Sequence, residues 1–426
     1  MLRRRKLRVG GWYVKKPFAH FDLPLTYEAA LSRVQDKQFI IERSFWPLIG
    51  FVDSKRKFKK EAGTSIVSTK DRPLRYCSHV DGYIHSFYAQ QIIPRYEEFL
   101  AKHNLSDVVI GYRKGRGTNV DMAKAAFDEI NRRISCCAIA LDINSFFDSI
   151  DHNVLKQNLC EVLGEVRLPL DWFKVYRSMT QYSWVDISDL SERLNFEKDN
   201  PPRPICSPEI YRKIVRGDDG KHVSLINRNK EGFGIPQGSP LSAVLSNIYM
   251  TRFDLACVKQ FATTGVFYRR YSDDILIIGS RETAKEALDF IKIEVAKLGS
   301  SMKINDSKTE VSEFERLASG VFECDRPMTY LGLTYDGQRA LLRGRTISRY
   351  YRRMTYATRQ TIRSAKKSGS GKVFLRGIYR DLTHLGRQNF YTYAKKASAI
   401  LGDDSPVRQL RRHFRILQRK LLSRGR

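Results

Sequence analysis

The chain has 426 residues, 42% hydrophobic and 11% aromatic, which is enough apolar material for two or three packed units and too much for a disordered chain. Lys and Arg outnumber Asp and Glu by 75 to 46, leaving a net charge of +29, the electrostatic footprint of a polyanion binder. No apolar run is long enough to span a bilayer, and the basic start Met1–Arg8 leads into Val-Gly-Gly-Trp rather than the apolar core of a secretory signal. Nucleic acid is therefore the expected partner, with no membrane, and the cytoplasm the expected location.

The seven cysteines are odd in number and show no C-x-x-C spacing, and the eight histidines form no H-x-x-x-H pair. A disulfide framework and a structural zinc site are both disfavoured. Any catalytic metal is left to carboxylates.

In chain order, residues 1–25 form a basic arm interleaved with Trp12, Tyr13 and Phe18, and 26–135 is a region of helices and loops. Residues 136–143 (Cys-Cys-Ala-Ile-Ala-Leu-Asp-Ile) are an apolar run of buried-strand type that delivers Asp142 to an edge. Within the stretch 136–336, residues 183–230 are rich in Pro, Asp, Lys and Asn and predict an insertion or long loop. Ser239 and Pro240 then offer an N-cap and a first-turn proline, and Leu241, Val244, Leu245, Ile248 and Tyr249 recur at helical spacing. Strand-like runs at 266–271 and 275–278 flank Ser272-Asp273-Asp274, which suits a hairpin tip. Thr283 with Glu286 predicts a capping box, the stripe Leu288, Ile291, Val295 and Leu298 a second helix, and Gly299 its C-cap. Strand, helix, hairpin and helix in this order give an α+β domain of the split βαβ plan, a sheet with helices on one face. The last block, 337–426, is different in kind: from Gln338 onward it holds 24 Lys or Arg against three acids, or +21.

Three carboxylates at neighbouring strand ends, Asp142, Asp273 and Asp274, would raise one another's pKa unless a cation lay among them. Hard oxygen ligands suit Mg²⁺ or Mn²⁺, and two such ions catalyse in-line phosphoryl displacement.

The wording around these acids carries a family resemblance. Asp142-Ile-Asn-Ser-Phe-Phe-Asp-Ser-Ile, Gly234-Ile-Pro-Gln-Gly-Ser-Pro-Leu-Ser, Tyr271-Ser-Asp-Asp, Lys303-Ile-Asn-Asp-Ser-Lys-Thr-Glu and Tyr330-Leu-Gly-Leu resemble, in order, the palm motifs of bacterial reverse transcriptases related to group II introns and retrons. Upstream, Thr69-Lys-Asp-Arg-Pro-Leu-Arg and Gly111-Tyr-Arg-Lys-Gly-Arg-Gly-Thr resemble their finger motifs.

The resemblance implies a right-hand polymerase with fingers (26–135), palm (136–336, with the insertion) and a basic helical thumb (337–426). The enzyme implied is an RNA-directed DNA polymerase that makes DNA from dNTPs with two Mg²⁺ ions, for which Mn²⁺ can substitute. By the same resemblance Asp142 and Asp273 hold both ions, Asp274 supports them and the Ile143 carbonyl adds a ligand. Phe147 falls at the steric gate against a ribose 2′-OH, its alternative being a core ring beside Phe146. Gln237 and Gly238 would line the incoming nucleotide and template. Lys308 would protonate the leaving pyrophosphate, the alternative being a solvated surface lysine. Arg72, Arg75, Arg113 and Arg116 are candidates for the triphosphate and template backbone, and Tyr330 and Gly332, with Arg411, Arg412, Arg415, Arg419 and Lys420 in the tail, for nucleic acid. Asn144 departs from the lysine these relatives often carry.

The tail suffices for a thumb but not for an RNase H or endonuclease, and it lacks the Val-Thr-Gly triplet of retron enzymes. The expected relatives are thus compact reverse transcriptases of phage defence, which copy a structured noncoding RNA template. An RNA-dependent RNA polymerase and a maturase-like RNA binder are the alternatives.

Overall fold

The structure is a computed structural model that describes residues 11–61, 64–369 and 373–425. Residues 1–10 of the expected basic arm lie outside the described residues. Helix takes 49% and strand 15%, so the chain is of mixed class. Its strands run β1 (Leu48–Val52), β2 (Lys55–Glu61), β3 (Thr64–Lys70), β4 (Pro73–Tyr76), β5 (Ser135–Asp142), β6 (Ser183–Asp186) and β7 (Asn227–Arg228). Then come β8 (Phe267–Tyr271), β9 (Asp274–Gly279), β10 (Glu310–Arg316), β11 (Phe322–Cys324), β12 (Met328–Tyr330), β13 (Leu333–Tyr335) and β14 (Ala340–Leu342). The chain forms two compact units, one of Met1–Tyr112, Ile143–Val258 and Lys292–Ile304, the other of Arg113–Asp142, Lys259–Ile291 and Asn305–Arg426.

The first unit is built on a sheet of order β4-β1-β6-β7, in which β1 is antiparallel to β4 and parallel to β6. The strands β1 to β4 replace part of what the sequence suggested was helix and loop. The segment 183–230, expected as a loop, is likewise structured: besides β6 and β7 it supplies the helix Ile187–Leu194. Its Val185, Leu190, Ile205, Tyr211 and Val215 close a core with Ala19, Phe21 and Ile49. Those apolar residues are scattered through polar sequence without a period, so no local pattern announced them.

The helix His79–Lys102 starts at Ser78, whose hydroxyl accepts the Asp81 N–H, and buries Ile84, Tyr88, Ile92, Tyr96 and Leu100. It packs against the helices His152–Leu163 and Ser242–Tyr249. The latter starts later than Ser239 and Pro240 predict, because the Ser239 hydroxyl is committed to Leu241 N–H and His85 Nδ1 rather than to a helix cap.

The second unit holds an antiparallel sheet of order β11-β10-β5-β9-β8, with β5 at its centre. Ile275, Leu276, Ile277 and Ile278 of β9 are wholly buried, which is why the run has no polar alternation. The following helix Arg281–Lys297 is preceded by Ser280, whose hydroxyl accepts the Thr283 N–H, so the cap lies three residues before the expected Thr283. A small sheet β12-β13-β14 leads to the tail helices Gly344–Lys367, Arg376–Leu382, Phe390–Leu401, Ser405–Arg408 and His413–Gly425. The first of these packs on the last. All seven cysteines are free thiols, and among the described residues no helix is long and apolar enough to cross a membrane.

Candidate active site

The acids of the second unit converge through strand register. Asp142 ends β5 and Asp274 opens β9, and the two are direct cross-strand partners. Asp274 also pairs with Tyr271 across the hairpin, leaving Ser272-Asp273 as a two-residue turn. Ser272 takes a positive φ of 58° there, as such a tight turn demands.

Beneath the turn lies Arg270, wholly buried, donating from Nη1 to the Ser272 carbonyl at 3.0 Å. The strand's alternating burial puts Arg270 on the same inner face as Tyr268.

Burial raises the pKa of Asp274 to about 7, with the Asp273 and Asp142 carboxylates adding to the rise and Lys308 and Arg343 opposing it. Asp273 is raised for the same main reason, its burial, and by Asp142 as well. Lys308 stands in a tight turn, Asp306–Lys308; its side chain is exposed, and its ammonium is ion-paired with Asp142 Oδ1. The strand end is held from the other side by the Asn305 N–H, which donates to the Asp142 carbonyl at 2.8 Å.

Among the described residues no three His, Cys, Asp or Glu side chains are arranged around one ion position; the Lys308 ammonium supplies the positive charge beside Asp142. The donor set nonetheless fits a hard cation: it is all carboxylate, burial and then like charge raise Asp273 and Asp274, and it carries no softer ligand.

Asp274 also lines a cavity of about 330 Å³ with Tyr271, Tyr330, Gly332, Arg343 and Asn119. Tyr330 is only 3% exposed, so its ring is a wall of the hairpin core rather than an open stacking surface. Leu331 and Gly332 form the turn at positive φ, 46° and 91°, and Asn119 Nδ2 donates to the Leu331 carbonyl at 2.8 Å. Arg113, 9% exposed, and the half-buried Arg116 precede the helix Asn119–Arg132 in this unit. Arg411, Arg412, Arg415 and Arg419 are exposed at and before the helix His413–Gly425, while Lys420 is half-buried.

The first unit gathers the other group of expected residues. Ile143 is buried and bridges to Ile304. Phe146 is buried 5.5 Å from the half-exposed Phe147, so the core position belongs to Phe146 and the accessible ring to Phe147. The Phe147 carbonyl accepts the Ile235 N–H at 2.9 Å, tying this turn to the loop that carries Gln237 and Gly238. That loop is tied in turn to β4, where the Arg75 N–H donates to the Gln237 carbonyl at 2.9 Å. Gly238 has φ 123° and lies against the Arg75 carbonyl, so no side chain fits there.

His85, 2% exposed, braces the same loop: its Nδ1 accepts from the Ser239 hydroxyl at 3.0 Å and its Nε2 donates to Ser178 Oγ at 2.9 Å. Burial lowers its pKa to about 4, so it is neutral. No spacing in the sequence marks His85, because its partners lie 93 and 154 residues away. Arg72 is exposed at the end of the β1–β4 pairing.

Residues 201–335 match the family described as reverse transcriptase (RNA-dependent DNA polymerase). The matched segment holds Gln237, Asp273, Asp274, Lys308 and Tyr330, begins after Asp142, and is similar to the reverse transcriptase domain of an RNA-directed DNA polymerase.

Among solved structures the chain is similar to apo telomerase from Candida tropicalis truncated of its C-terminal domain, at 13% identity over 68% of this chain and 55% of that one, with a TM-score of 0.45. It is similar also to the Candida tropicalis telomerase in complex with a TWJ fragment of telomeric RNA, at 15% identity over 89% of this chain and 56% of that one, with a TM-score of 0.41. The chain thus spans little more than half the length of these telomerase chains.

Proposed function

We propose that this protein copies an RNA template into DNA, with Asp142, Asp273 and Asp274 and the Ile143 carbonyl holding two divalent ions. The observation that supports this most is the register that sets three carboxylates together, two of them with raised pKa values, at abutting strand ends. Bound Mg²⁺ or Mn²⁺ would activate the attacking 3′-hydroxyl and stabilise the charge on the leaving group. Lys308, already at the acids, is placed to give up its proton to departing pyrophosphate. Phe147 presents its ring against a ribose 2′-OH, and Arg72, Arg75 and Gln237 order the triphosphate and template. In this reading residues 26–135 serve as the fingers and the residues from 337 onward as the thumb.

The template is a dedicated structured RNA, as in the compact defence reverse transcriptases that the chain resembles in its domain make-up. The density of positive charge from Gln338 onward, +21, supports a large phosphate ligand. Two experiments test the proposal. Purified protein should extend a primer with dNTPs on RNA, need Mg²⁺ or Mn²⁺, and lose all incorporation in the Asp273→Ala/Asp274→Ala variant while still binding RNA; incorporation by that variant would refute the assignment. Sequencing of RNA crosslinked to the native complex should show one enriched species, and a random cellular spectrum would leave a general primer-template polymerase.

A further inference from the structure

We infer that Trp184 is a positioning residue for Arg75, and that the stacked pair forms a preset seat for the triphosphate of the incoming nucleotide. The inference rests on the proposed role of Arg75 and assigns a part in substrate binding to the segment 183–230.

The sheet builds the seat. Strand β1 lies between β4 and β6, with Gly50 opposite Arg75 on one side and Asp186 on the other, and with Leu48 opposite Trp184. A Cβ on Gly50 would lie 2.7 Å from Asp186 Oδ1 and 3.3 Å from Trp184 Cδ1, so a side chain there would crowd the shelf.

Across this gap the Arg75 guanidinium lies over the Trp184 ring at 4.3 Å and the Tyr182 ring at 5.3 Å. The two rings are 5.7 Å apart and tilted by 42°, giving a shallow aromatic trough. A guanidinium stacked on a ring keeps its N–H donors in its own plane, free of the contact that orients it. Among the described residues no carboxylate reaches ion-pair distance of Arg75. Arg75 partly holds down the pKa values of Asp148 and Tyr182, both of which burial raises. The seat therefore holds an ordered, half-buried cation without an ion-pair partner, and its backbone is bonded to the Gln237 loop.

A planar fork of this kind suits bidentate capture of a phosphate, and ordering it in advance removes the side-chain entropy cost from the binding step.

The test is a double-mutant cycle in the full chain, using Trp184→Leu, Arg75→Ala and their combination. Each variant is read by the KM and kcat for dNTP and by calorimetric titration with inorganic tripolyphosphate. Trp184→Leu should raise KM and weaken tripolyphosphate by about tenfold, with kcat within about twofold, while Trp184→Phe should restore most of the loss. In the Arg75→Ala background Trp184→Leu should add nothing. Should Trp184→Leu lower the thermal midpoint enough to unfold the protein, Trp184→Phe serves in the same cycle at smaller amplitude. Equal losses in both backgrounds, or an unchanged KM, would overturn the seat. A chain that makes no DNA but shows the coupling toward tripolyphosphate would keep the seat and refute the polymerase reading.

Discussion

The ion pair between Lys308 and Asp142 shows how three half-buried acids coexist in one strand-end cluster. One is neutralised by an ammonium, and another is raised toward half-protonation at neutral pH. Lys308 is the counter-ion of Asp142 in the structure, and under the proposed function it would also be the acid during turnover. Under the proposed function a single residue, Phe147, would decide sugar selection. Because Phe146 takes the core position and Phe147 is left half-exposed, Phe147→Ala should keep the fold and lower discrimination against rNTPs by about tenfold or more in single-nucleotide incorporation assays. An unchanged ratio of rNTP to dNTP use would place the gate elsewhere.

The elements divide into those with a local signature and those without. The runs of β5 and β9 and the Ser272-Asp273 turn were legible because buried strands and tight turns have compositional marks. The helix starts near 242 and 281 were displaced by two or three residues because competing side-chain bonds, from Ser239 to His85 and from Ser280 to Thr283, decide where a helix begins. The shelf under Arg75 was not legible, since β4, β1 and β6 meet only through long-range pairing. The tail shows the opposite case, in which composition speaks directly. The helix Gly344–Lys367 buries Tyr350, Met354, Thr358, Ile362 and Ala365 along one stripe and carries eight Lys or Arg and no acid. Replacing its exposed Arg349, Arg352, Arg359 and Arg363 by Gln should weaken RNA binding and flatten the slope of log K against log salt by about 0.7–0.9 for each phosphate that is no longer neutralised. Thermal stability should stay nearly constant, because these side chains lie off the buried stripe. An unaltered slope would remove this helix from the RNA-binding surface.

For the molecule as a whole, buried histidines set a pH limit. His20 and His85 are held neutral by burial, with pKa values lowered to about 3 and about 4 from 6.5. Between those values and 6.5 the unfolded chain binds the extra protons, so their contribution to stability is present above pH 6.5 and is lost as pH falls. Asp273 and Asp274, raised in the fold, work in the opposite sense as pH rises from the ordinary carboxylate range toward 7. In an Asp273→Asn/Asp274→Asn variant that opposing contribution is gone, and the denaturation midpoint should fall from pH 7 to pH 5 more steeply than in the wild type. Equal pH profiles would show that neither acid is raised in the folded protein. The interleaving of the two units bears on how the chain is made. Each unit is assembled from three stretches, and the chain passes from one to the other five times. On the ribosome, the first unit's last piece, Lys292–Ile304, emerges while the second still lacks everything from Asn305 onward. The strand bearing Asp142 must then wait for β10, more than 160 residues later in synthesis, before both its edges are covered. The nascent chain therefore carries a half-dressed sheet with an open edge until β10 has been made, which makes termination before that point a route to aggregation rather than to a folded fragment.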